Sequence, residues 1–171
     1  MSSYQEPLKE VGNCRVYEEQ NVDVTLNNIK RFSKFCNRKN VKDMNEIARG
    51  GYGTVFNLNI DGVNYVLKKQ QIEIDNPLDE MEREVSIPDL LQDIRRQDGQ
   101  RISIPIFDCF FICVKGTLSR SNCFGEMYFI MEKGEGNCAE LIVKRNGIFA
   151  SEETKVVLLR DMLIKMIENI Y

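Results

Sequence analysis

Three glycines within four residues, Gly50, Gly51 and Gly53, form the part of this sequence whose residue types and spacing best suit chemistry. They lie in the run Ala48-Arg49-Gly50-Gly51-Tyr52-Gly53-Thr54-Val55. A glycine-rich backbone approaches phosphate oxygens closely and can point its N–H groups at them. Other chemistries are excluded by composition. The 171 residues contain no histidine, which removes imidazole-dependent triads, histidine metal centres and histidine general bases together. The six cysteines, Cys14, Cys36, Cys109, Cys113, Cys123 and Cys138, show no CxxC spacing. They argue for free thiols in a reducing compartment rather than a zinc site.

The elements around the glycines decide what kind of loop they make. Ile47 to Arg49 begins one strand, Thr54 to Ile60 makes a second, and Val63 to Lys69 a third. The glycines therefore join two strands, which argues against Walker and Rossmann loops, where a helix follows. Asp61-Gly62 is the preferred two-residue hairpin turn between the second and third strands, because both positions need positive φ. A helix is expected after Asn76 and Pro77, with Asp79, Glu80, Glu82 and Glu84 in its early turns. Pro88 interrupts it, and Ile87, Leu90, Leu91 and Ile94 continue an apolar stripe. Ile106 to Val114 and Met127 to Met131 read as two further strands joined by a polar loop, Lys115 to Glu126. A short helix is expected over Ala139 to Lys144. A longer one opens at Ser151, with a stripe of Val156, Leu159, Leu163, Met166, Ile167 and Ile170. The expected fold is α+β, a five-stranded antiparallel sheet with one helix and then further helices.

Four segments in this order resemble the protein kinases, and specifically a divergent serine/threonine type similar to kinases of large DNA viruses. IARGGYGTVF, Ile47 to Phe56, resembles the kinase glycine-rich loop, with Ala48 in place of its first glycine. Tyr65-Val66-Leu67-Lys68 resembles the lysine strand, Glu82-Arg83-Glu84-Val85 the start of the regulatory helix, and Tyr128 to Gly134 the fifth strand and hinge. The resemblance implies a kinase small lobe over residues 44–134, preceded by an extension over 1–43 with room for a short helix. Residues 135–171 would be the first helices of the large lobe. It also implies an ATP or Mg-ATP site built from Ala48, Gly50, Gly51, Tyr52, Gly53, Val55, Val66, Lys68, Glu84, Met131, Glu132 and Gly134. Lys68 would neutralise phosphates, Glu84 would pair with it, Met131 would be the gatekeeper, and the backbone of Glu132 to Gly134 would bond adenine. An ordinary surface lysine is the alternative for Lys68, and Glu80 and Glu82 are the alternatives for Glu84. Strand alternation puts Val66 and Lys68 on one face, as a nucleotide-facing lysine requires.

The sequence contains no catalytic-loop HRD-like motif and no DFG motif. The resemblance therefore implies nucleotide binding without autonomous phosphoryl transfer. The alternative is a pseudokinase-like protein that binds or inhibits another kinase or regulator. In that case a protein partner would cover the stripe around Leu159, Leu163 and Met166. The net charge of −3 argues against a general nucleic-acid footprint, although Lys30, Arg31, Lys34, Arg38, Lys39 and Lys42 make a local cationic run. Neither a spanning apolar stretch nor a signal-peptide core is expected, which places the protein in the cytoplasm or nucleus.

Overall fold

The computed structural model describes residues 4–51, 53–74, 82, 84–86, 104–118 and 123–134. The chain divides into two compact units, Met1–Ile94 with Ser103–Lys133, and Arg95–Ile102 with Gly134–Tyr171. All described strands belong to the first unit, and of the second only Gly134 falls within the described residues.

One mixed sheet of seven strands organises the first unit. The strands are β1 (Lys9–Val11), β2 (Cys14–Glu19), β3 (Val41–Gly50), β4 (Gly53–Ile60), β5 (Val63–Ile74), β6 (Ile106–Val114) and β7 (Cys123–Glu132). Their order across the sheet is β1-β2-β6-β7-β5-β4-β3. The β2–β6 pair is parallel, and every other neighbouring pair is antiparallel. Helix among the described residues is confined to α1 (Ile29–Phe32), Glu82 and residues 84–86. None of it is long and apolar enough to cross a membrane.

This architecture corrects the expected α+β fold, a kinase-like five-stranded antiparallel sheet with large-lobe helices. The sheet is larger and mixed, because β6 is an interior strand. Its sequence, IFDCFFICV, is apolar without alternation apart from Asp108, and Asp108 to Cys113 are all buried. Such a run belongs to a strand covered on both faces, and β2 takes the place beside it that an edge would leave open. Residues 9–19, within the segment expected as an extension, supply β1 and β2. The helices expected over Ala139 to Lys144 and from Ser151 lie outside the described residues. So does the helix expected after Asn76, apart from Glu82 and residues 84–86.

The Asp61-Gly62 hairpin forms as its residues require. Asp61 has φ 52° and Gly62 has φ 84°, and Ile60 pairs with Val63 across the turn. Both arms reach further than their apolar pattern suggests. β5 extends to Ile74, and its outer half pairs with Cys123–Met127 of β7.

Side chains alternate between the two faces of the sheet. On one face Leu58, Leu67, Phe110, Ile112, Tyr128 and Ile130 pack beneath Val24, Ile29, Phe32 and Cys36. The four-residue α1 is too short to persist on its own, and the burial of Ile29 and Phe32 in this cluster holds it. On the other face Cys14, Val16, Phe111, Met127, Phe129 and Ile72 meet Val85.

A buried ion pair fixes the N-terminal segment to this core. The Arg15 guanidinium donates to Asp108 Oδ1. Ser33 Oγ donates to Asp108 Oδ2 at 2.6 Å, and the Phe35 amide donates to the same oxygen at 3.1 Å. Burial alone would lower the Arg15 pKa, but the Asp108 carboxylate beside it more than offsets this and raises it. Removing the carboxylate would leave a buried cation and two donors unpaired. Asp108→Ala is therefore expected to destabilise the fold by about 3–5 kcal/mol, measured by urea unfolding.

Burial also raises the Cys36 thiol from its usual 9.0 to about 11. Protonated in both states below pH 9, the thiol has no effect on stability there. As pH rises from 9 toward 11, the unfolded chain ionises first and stability falls. Unfolding free energies at pH 8 and pH 10.5 are expected to drop more in the parent than in Cys36→Ala, by about 2 kcal/mol.

Candidate functional site

Directly opposed residues of an antiparallel ladder share a face. Ala48 lies opposite Val55, Val55 opposite Lys68, and Lys68 opposite Phe129. One step along the same face, Val66 lies opposite Met131. Ala48, Val55, Val66, Lys68 and Met131 therefore stand on one face of the sheet, the face on which Val85 packs. Lys68 is half-buried, with Nζ 6.0 Å from the centre of the Phe129 ring. Glu84 is helical and half-buried. Among the described residues no ion pair joins Lys68 to Glu84, so the expected partnership is not formed. Gln70, two residues beyond Lys68, has a buried side-chain oxygen without a hydrogen-bond partner.

The other expected residues are placed differently. Gly50 and Gly51 are exposed, with open space where a side chain would stand. Gly53 serves the sheet itself. At φ 133° its missing Cβ would lie 2.0 Å from the Lys69 carbonyl oxygen, so only glycine lets β4 start this close to β5. Tyr52 lies outside the described residues. Glu132 is exposed and pairs with Tyr65, on the face away from Lys68. Its amide already donates to the Pro105 carbonyl at 3.0 Å. Gly134 is exposed and belongs to the second unit.

Lys69 points to the opposite face and into a polar site that sequence reasoning missed. Arg49, Thr54 and Lys69 are successive cross-strand neighbours there, and Gln71 lies opposite Glu126. With the glycine turn they bound a cavity of about 370 Å³. Lys69 Nζ lies 2.9 Å from Asp23 Oδ1 and 3.1 Å from Glu126 Oε1. Burial alone would lower the Lys69 ammonium pKa, but the two carboxylates prevail and raise it. The Tyr128 hydroxyl lies against Glu126 Oε2 and accepts from the Val24 amide at 3.1 Å. Burial first, and Glu126 second, push that phenol's pKa up. The available signal was Glu126 itself. It sits two residues from Tyr128 in a strand otherwise free of charge until Glu132 at its end, although it reads as the end of a polar loop.

Among the described residues no cluster of three or more cysteine, aspartate or glutamate side chains could hold a metal ion. No protein-family model matches this chain, and a search of curated proteins finds no significant match to it.

Proposed function

We propose that this protein binds ATP on the Lys68 face of its sheet, in a manner similar to the protein kinases, and by itself does not transfer the terminal phosphate. The observation that carries this reading is the shared face of Ala48, Val55, Val66, Lys68 and Met131. These are residues from four strands, and they combine an apolar surface for a base with one ammonium group for phosphates. Val66 and Met131 would line the base, and Lys68, free of carboxylate partners among the described residues, would meet the phosphates. The bound nucleotide would supply the phosphoanhydride. The sequence contains no DFG or catalytic-loop aspartate to hold Mg²⁺ or activate a hydroxyl, which supports binding without turnover.

The missing Lys68–Glu84 pair favours a second role built on the same site, that of a pseudokinase-like binding partner. The nucleotide would then stabilise a protein-docking state rather than react. The free, buried thiols Cys14 and Cys109, which are ladder partners on β2 and β6, support a reducing compartment such as the cytoplasm or nucleus.

Mg-ATP at a hundredfold over its Kd is expected to raise the melting temperature by about 5–10 °C. Lys68→Ala is expected to abolish that shift while melting normally without nucleotide. A parent protein that shows no ATP-dependent shift contradicts the proposal. Transfer of labelled phosphate to any protein by this chain alone contradicts its second half.

A further inference from the structure

The cavity on the Lys69 face has cationic and polar walls. Arg49, Thr54 and Lys69 face it in a row across three strands, with the hydroxyl between the two cations. Strands lie about 4.8 Å apart, so the cations are within side-chain reach of a common point above Thr54. Thr54 is only 8% exposed and lines the cavity between the two cations. A hydroxyl flanked by a guanidinium and an ammonium, on the wall of a cavity of about 370 Å³, can offer donors from three side chains to one ligand.

We propose that this cavity binds a phosphate-type dianion, held by Arg49, Thr54 and Lys69. In the free protein both cations hold surface carboxylates. Glu46 accepts from Arg49 at 2.7 Å, and Asp23 lies 2.9 Å from Lys69. The side chains of Glu46 and Asp23 are 40% and 61% exposed, so these pairs are weak and readily exchanged. A dianion replaces both with charge-assisted bonds to one tetrahedral group and can accept from the Thr54 hydroxyl as well. Glu126 stays with Lys69 and Tyr128, and so keeps its own partners. A metal cation does not suit the row, because two fixed positive charges flank the hydroxyl. The site faces away from Lys68 and does not rest on ATP binding there.

Calorimetric titration of the full chain with inorganic phosphate, and separately with phosphoserine, at low ionic strength tests the assignment. Arg49→Gln, at an exposed position, and Thr54→Val, which keeps the side-chain shape, are each expected to weaken binding about tenfold. Glu46→Gln removes the competing carboxylate and is expected to tighten it. Lys68→Met is expected to leave it unchanged. Tighter binding of phosphoserine identifies a phosphomonoester as the ligand, and tighter binding of inorganic phosphate identifies the free ion. Absence of binding to the parent by both probes overturns the proposal. So does equal binding by the parent and Arg49→Gln, or a loss in Lys68→Met as large as that in Arg49→Gln.

Discussion

Asp108 accepts hydrogen bonds from Arg15, Ser33 and the Phe35 amide, and this one buried carboxylate joins three parts of the chain. It locks the strand of Arg15 beside β6, and it anchors the end of α1 and the turn that follows. An unpaired charge at this depth costs several kcal/mol, so the three attachments stand or fall together. With β2 held in place, β6 becomes an interior strand. The segment from Val24 to Cys36 is held over one face of the sheet, where it supplies Ile29 and Phe32 to the core.

That arrangement gives the two faces different uses. One is closed over most of its area by the N-terminal segment, and it opens at the glycine turn into the polar cavity beside Lys69. The other carries Val66, Lys68 and Met131 next to the helical Val85. Lys68 and Lys69 are adjacent in sequence yet work in unrelated environments, since alternation sends them apart. Lys69 is bound to carboxylates, and Lys68 has none among the described residues. The glycine turn borders the Lys69 cavity, and Gly53 owes its identity to the Lys69 carbonyl rather than to any ligand.

Features set by neighbouring residues were legible in the sequence. Asp61-Gly62 dictates its hairpin because few other pairs accept positive φ at both positions. The shared face of Val66 and Lys68 follows from the period of a strand. Features set by distant partners were not legible. The pattern CRVYEE does not announce a strand whose first four residues are all buried, because the charge that neutralises Arg15 is Asp108, far along the chain. The β6–β7 pairing follows from two apolar strands joined by a polar loop, whereas the unbroken apolar run Cys109 to Val114 also carries the information that β6 is covered on both faces. Gly125 and Glu126 suggested a loop, yet the glycine lies under the Phe111 ring, where a Cβ would meet it at 2.3 Å. The Lys69 cavity depends on β3, β4, β5 and β7 coming together, which no local pattern encodes.

The central claim is that the Lys68 face, and not the Lys69 face, receives the nucleotide. Amide chemical-shift mapping with Mg-ATP tests this most directly. Shifts concentrated at Ala48, Val55, Val66, Lys68 and Met131, and saturating with nucleotide, are the predicted result. Saturable shifts confined to Arg49, Thr54, Lys69 and Gln71, or no saturable shifts at all, would contradict it.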